Sequence, residues 1–303
     1  MKARITIALF LALFLTTGFS AIAQSDSVAK AVLVVTDPNI PKEKAVKQAL
    51  EIIDKAIKNP QSQKSAYAWY VRGYVYKEYY KTFEANNKKS KTRIDAVSFF
   101  KTALELDATK EYDADIRKNL KFIGSTFYND AATSIDVSTY QTAIEDYGKF
   151  KECMLLAEPG FNLRPWEINF KTVLADLYAK NFRSDIKANV DDFNKAEATY
   201  KEVITLDTNN WSANFNLAML YYNYGVDIIN AMSVESDIIV IENIQEEAKT
   251  QFKKALPYAR KAYSLKPKEK RILVALQGIY FSLYEFEKSD EFKAKIELLD
   301  KEK

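Results

Sequence analysis

A short pattern of small and aromatic residues recurs along this 303-residue chain, and it leaves few folds open. It is fullest where Trp69, Arg72, Gly73 and Tyr76 are followed by Ala96, Phe100 and Ala103. Residues three and four apart share one face of an α-helix, so each half of the pattern marks one amphipathic helix. Gly73 removes the side chain that would hold a second helix away, and Ala96, Phe100 and Ala103 offer the face that closes on it. A helix pair with such a face cannot stand alone in water, so copies must stack and bury it. Composition agrees with an all-α chain, because glycine and proline number only 7 each and the breakers that punctuate β folds are scarce. Pro38, Pro41, Pro60, Pro159, Pro165 and Pro267 all sit at predicted helix boundaries.

The pattern returns with variations. Within 42–60 only Ala49-x3-Ile53-x2-Ala56 is found, the second helix of a unit whose first helix is missing or degenerate, and the segment reads as an N-terminal cap. The full unit spans 65–108, with Phe83 to Arg93 expected as an extended first helix or a projecting loop. The next, 110–159, keeps Leu120, Ile123, Gly124 and Phe127, then Ala143-x3-Tyr147-x2-Phe150, with Ser134 to Ser138 as an inserted turn. In 165–208, Leu174, Ala175 and Tyr178 precede Ala196-x3-Tyr200-x2-Val203. In 210–267, Leu217, Ala218 and Tyr221 precede a return helix with two registers, Ala248-x3-Phe252-x2-Ala255 or Ala255-x3-Ala259-x2-Ala262. The second register fits better because it closes at Pro267. Gly225 to Thr250 reads as an insertion that lengthens both helices, and Pro257 should kink or restart the second. Ile228 to Ile244 holds too many isoleucines to leave in water and is expected to pack on the repeat body or on a partner. A last pair over 270–300 carries Gly278 and Phe281, and its lysine- and glutamate-rich outer face suits a terminal cap.

These spacings resemble the tetratricopeptide repeat, over roughly residues 42 to 300. The resemblance implies a right-handed superhelical array of antiparallel helix pairs, a tetratricopeptide-like α-solenoid over 42–303 behind a flexible leader at 24–41. It also implies that the first helix of each unit lines a concave groove, with the residues beside the motif's small residue facing into it. Those positions are Tyr70, Tyr74 and Lys77, then Lys121, Ser125 and Tyr128, then Thr172 and Asp176, then Phe215, Met219 and Tyr222. Such a lining is aromatic with scattered polar groups and suits an extended peptide, a partner helix or stacking on sugar rings. The paired lysines and asparagines with which some family members hold a C-terminal carboxylate are missing, so chaperone-tail recognition is not implied.

The N-terminus reads differently from the repeats. Lys2 and Arg4, an apolar run from Ile5 to Leu15, and Ala21-Ile22-Ala23 before Gln24 describe a secretory signal peptide over 1–23. Export is therefore expected, to the periplasm first, with secretion or envelope association as alternatives. Gln24 stands where a lipid-anchored bacterial protein would need cysteine, and no further stretch reads as a membrane span. Without Lys2 and Arg4 the 44 basic residues become 42 against 41 acidic ones, a balance that gives no electrostatic reason to expect nucleic acid, whose binding needs a clustered basic surface.

Enzyme chemistry finds few candidate groups. With no histidine, the chain lacks the usual general base at neutral pH, the usual partner of a nucleophilic serine or cysteine, and the commonest zinc ligand. The one cysteine, Cys153, permits no intrachain disulfide and reads as a buried, inert thiol. Asp191-Asp192 and Glu246-Glu247 are adjacent acids, but neighbours in sequence point apart on a helix. No phosphate loop, calcium loop or zinc cluster is present, so neither cofactor nor metal is expected. The expectation is a non-catalytic protein–protein interaction scaffold of the bacterial cell envelope, with the partner's identity and the oligomeric state left open. The alternative is a carbohydrate-binding component of an outer-membrane uptake system.

Overall fold

The computed structural model describes residues 27–233 and 237–301; the predicted signal segment lies outside them. The described residues form α-helices and no strand. In chain order the helices are α1 (27–36), α2 (Lys42–Ala56), α3 (Pro60–Gln63), α4 (Ala66–Tyr79), α5 (Lys91–Leu106), α6 (Asp113–Thr133) and α7 (Tyr140–Ala157). Then come α8 (Arg164–Ser184), α9 (Val190–Leu206), α10 (Trp211–Asn230), α11 (Ile238–Leu265), α12 (Lys270–Ser282) and α13 (Phe286–Lys301). A π-helical turn, Tyr80–Glu84, extends α4. The chain divides into two compact units, one of residues up to 133 with 142–161, the other of 134–141 with 162 onward.

Local chemistry sets where the helices begin. Ser65, Ser90 and Asn210 accept from the backbone amides of Ala68, Arg93 and Ala213, each satisfying one of the amide donors that the first turn of a helix leaves unpaired. Asp107 does similar work between helices, its two carboxylate oxygens accepting from the amides of Glu111 and Tyr112.

In the first unit, α1/α2, α4/α5 and α6/α7 form three helix pairs. The flexible leader expected at 24–41 is corrected here: residues 27–36 are helical, and Val28, Ala31 and Val35 are buried against Val46, Ala49 and Ile53 of α2. These residues recur at three- and four-residue steps, so α1 supplies the first helix that the cap had lacked. Gly73 shows why the motif needs a small residue, because an added Cβ would lie 2.7 Å from Cδ1 of Phe100.

Gly124 corrects a register. Its neighbours are Cys153 and Met154, with a would-be Cβ 3.0 Å from the Cys153 Cβ, rather than Tyr147. The return face is therefore centred on Phe150, Met154 and Ala157, one seven-residue step beyond the expected set. Seven residues drift only about 20° around a helix, so both sets are buried and periodicity alone does not separate them. Cys153 is buried, as its place on this face requires, and burial pushes its thiol up to about 12.

Arg93 is fully buried where the extension returns. It donates to Tyr80, Thr126, Asp130 and the Lys88 carbonyl, and its guanidinium lies 3.9 Å from the centre of the Phe127 ring. The segment Phe83 to Arg93 thus continues the first helix through its π turn and is then tied down by its last residue.

The second unit stacks α8/α9, α10/α11 and α12/α13, with α8, α10 and α12 in successive contact. Pro257 does not restart α11, which runs as one helix from Ile238 to Leu265. Phe252, Ala255, Ala259 and Ala262, on both sides of the proline, are buried, and that burial offsets the cost of about 3 kcal/mol that a proline's lost hydrogen bond and ring clash impose within a helix. Both proposed registers of α11 are used, since Phe252 and Ala248 close on Gly225 while Ala259 and Ala262 are buried further along. At 28 residues α11 outruns the 20 of α10, so its first turn is uncovered and Ile238 and Ile239 remain 69% and 64% exposed. Of the two expected places for this region, the repeat body or a partner, Ile238 and Ile239 do not take the first. The polar outer face of the last pair is likewise interrupted by Phe281, Tyr284 and Phe286, all exposed, with ring centres 5.6 and 6.1 Å apart.

Candidate functional site

The groove positions behave differently in the two units. In the first, Tyr70 stacks on Tyr112 with centroids 5.7 Å apart and also meets Phe100, and burial followed by the Asp115 charge pushes its hydroxyl up to about 12. Tyr74 lies under the Lys77 ammonium at 4.2 Å. Lys77 is itself buried, donating at 2.8 Å to Asn119 on α6 and at 2.8 Å to Glu78. Burial lowers the Lys77 pKa, with the Glu78 hydrogen bond opposing. Burial pushes Glu78 up, but hydrogen bonds from Lys42 and Lys77 outweigh it and hold the carboxyl at about 2. Lys121 pairs with Glu158 at 2.8 Å, the Ser125 hydroxyl donates to the Lys121 carbonyl, and Tyr128 packs on Phe150 at 5.0 Å. Tyr70, Lys77 and Tyr128 thus hold neighbouring helices together, whereas Lys121 and Ser125 stay exposed and Ser125 bonds only within α6.

In the second unit Thr172 turns back to the Ile168 carbonyl, while Asp176, Phe215, Met219 and Tyr222 line open clefts. One cleft, of about 340 Å³, lies between α8 and α10 and is bordered by Asp176, Lys180, Arg183, Asn216, Met219 and Asn223 among others. The Asp176 carboxylate accepts from the Tyr200 hydroxyl and, at 2.8 Å, from Asn216. Packing against Tyr200 and Asn216 partly desolvates this otherwise exposed carboxyl and raises its pKa, with both hydrogen bonds opposing. The other cleft, of about 410 Å³, lies between α10 and α12, with a largely apolar wall of Phe215, Met219, Tyr222, Val274 and Ala275 and with Lys270 and Arg271 at its side.

Met219 lines both clefts, so α8, α10 and α12 present one surface with a polar part and an apolar part. Tyr222 is held by its neighbours: a Cβ on Gly278 would lie 2.5 Å from the Tyr222 hydroxyl oxygen, so the glycine makes room for that ring. Phe215 stacks on Trp211 at 4.9 Å and 8°, and the Arg271 guanidinium lies 5.0 and 5.5 Å from those two rings.

Sequence reasoning missed Lys180 and Arg183, although they stand four and seven residues beyond Asp176 on α8 and therefore on its face. It also stopped short of α12. The offset that selects Phe215 before Ala218 selects Ala275 before Gly278, and Ala275 does line the cleft.

No protein-family model matches the chain. No curated protein matches it. Solved structures do match, at low identity. MamA is 15% identical, with 75% of this chain and 92% of that chain covered and a TM-score of 0.32. PilW, described as a widely conserved type IV pilus biogenesis factor, is 18% identical, with 91% and 93% covered and a TM-score of 0.29. The TPR2AB domain of yeast Sti1, in a complex with pHSP90, is 16% identical, with 93% and 92% covered and a TM-score of 0.30. The tetratricopeptide-like character of the fold rests on this chain's own helix pairs and on the contacts at Gly73, Gly124 and Gly225.

Proposed function

We propose that this chain is a non-catalytic scaffold of the bacterial cell envelope that holds an extended segment of a protein partner across α8, α10 and α12. The observation that carries this reading is the pair of clefts joined at Met219, where first-helix residues line an open surface with both apolar walls and polar groups. Such a surface offers a pocket for a side chain and hydrogen-bonding groups for a backbone. The ring faces support a peptide over a sugar, because Trp211 is stacked on Phe215 and has Lys266 and Arg271 over it, 4.6 and 5.0 Å from its centre. The envelope assignment rests on the basic, apolar and small-residue sequence of residues 1–23.

The test is selection of peptides from a displayed random library on the purified chain from Gln24 to Lys303, repeated with Met219→Arg. Peptides retained by the native chain and lost with the folded variant support the reading. Peptides indifferent to Met219→Arg, or none retained, count against it. N-terminal sequencing of the protein recovered from its own cell envelope should begin at Gln24; an intact Met1 would refute cleavage.

A further inference from the structure

The charges around the two clefts go further than their shape. Lys180 and Arg183 border the α8/α10 cleft, and neither has a carboxylate within ion-pair distance among the described residues. Lys180 acts on Asp136 only at longer range. The one acid in that lining, Asp176, is already engaged by Tyr200 and Asn216. At the other cleft, Lys270 and Arg271 bring two further cations and no lining residue is acidic. Lys270 is paired with Asp300 and Arg271 with Glu269, so the unmatched charge sits at the α8/α10 end.

We infer that the partner segment is acidic: an extended peptide that seats one large apolar side chain between α10 and α12 and presents carboxylates to Lys180 and Arg183. This rests on the protein-binding reading above and names its chemistry. Spacing follows from geometry. Packed helices lie about 8–10 Å apart, and an extended chain in the polyproline II form advances about 3.1 Å per residue with about three residues per turn, so side chains on one face that reach adjacent clefts stand about three residues apart. The carboxylates contribute orientation and encounter rate as well as affinity, and their effect should weaken as salt is added.

The experiment uses the chain from Gln24 to Lys303 and short labelled peptides of serine and glycine with one phenylalanine and a glutamate pair about three positions away, in both orders. Lysine replaces glutamate in one control, and the two features are adjacent in another. Binding is read by fluorescence anisotropy at low and physiological salt, and the thermal midpoint of each protein variant is measured alongside. The expected result is that one order of the spaced acidic peptide binds about tenfold tighter than its lysine counterpart. The advantage should shrink with salt, and Lys180→Glu/Arg183→Glu should invert it without moving the midpoint. Tyr222→Ala should weaken acidic and basic peptides alike. If acidic and basic peptides bind equally and both are lost with Met219→Arg, the acidic inference is overturned while the protein-binding reading stands. If no peptide binds and an oligosaccharide does, both fall.

Discussion

The same motif offset yields opposite outcomes in the two units. On α4 and α6 it delivers Tyr70, Lys77 and Tyr128 into contact with Tyr112, Asn119 and Phe150. On α10 it delivers Phe215, Met219 and Tyr222 to the wall of an open cleft. For Lys77 and Met219 the difference lies in what the neighbouring first helix offers. Opposite Lys77 stands Asn119, long enough to meet its ammonium at 2.8 Å, whereas opposite Met219 on α12 stand Val274 and Ala275, too short to fill the space. Position in a repeat therefore sets the direction of a side chain, and the residue across the interface decides whether it binds its own fold or remains available.

The strongest way to break this contrast is at Arg93. Replacing it with alanine strips the buried partner from Asp130 and empties the space over Phe127. Removal of one partner of a buried pair costs about 3–5 kcal/mol, so urea unfolding followed by hydrogen exchange should show that loss in the first unit. Peptide binding by the second unit should survive. Loss of binding with protection intact would contradict the division of labour.

A smaller effect is expected at Gly225. An added methyl would meet Cε1 of Phe252 at 2.6 Å and the Ala248 carbonyl at 3.0 Å, and overpacking of this kind costs about 1–3 kcal/mol. Gly225→Ala should lower the denaturation midpoint. Gly148 has nothing within 4 Å of the equivalent position, and Gly148→Ala should stabilise α7 by about 0.5–1 kcal/mol. Opposite signs from the two glycines would confirm that close packing, not backbone freedom, is what Gly225 provides.

Asp146 sharpens the contrast through pH. Burial pushes its carboxyl up to about 6 from 3.8, with Arg93 and Lys88 opposing and Asp130 and Glu145 adding to the rise. The folded chain then binds this proton more tightly than the unfolded chain. Its contribution to stability is present below about pH 4 and is lost as pH rises through about 6. Asp146→Asn should flatten that part of the stability profile, measured by urea unfolding at stepped pH. Glu78, held at about 2 from 4.5, acts in the other direction and loses its contribution as acid is added below pH 4.5.

The helix pairs were legible because Trp69, Gly73, Phe100 and their counterparts repeat at helical spacing. What escaped was the information carried between helices. The register of α7 was missed because seven residues return to nearly the same face, and only the contact of Gly124 with Cys153 and Met154 separates the alternatives. The helix at 27–36 was hidden by its β-branched valines and the polar residues around it, although Val28, Ala31 and Val35 have the right spacing. Arg93 reads as one more charge at a loop end, and its burial depends on Asp130, more than thirty residues away. Of the candidate site, the α10 residues followed from the motif alone. Lys180 and Arg183 needed the cleft between α8 and α10 to reveal them.

The most direct test of where the partner lies uses the methionine methyl groups. Met219 lines both clefts, whereas Met154 is buried in the first unit. Methyl-labelled protein is titrated with the spaced phenylalanine–glutamate peptide and the methyl resonances are followed. The Met219 methyl should shift saturably with the same affinity as the anisotropy, while Met154 stays in place. Saturable binding with a motionless Met219 signal would place the partner elsewhere on the molecule and contradict the site assigned to α8, α10 and α12.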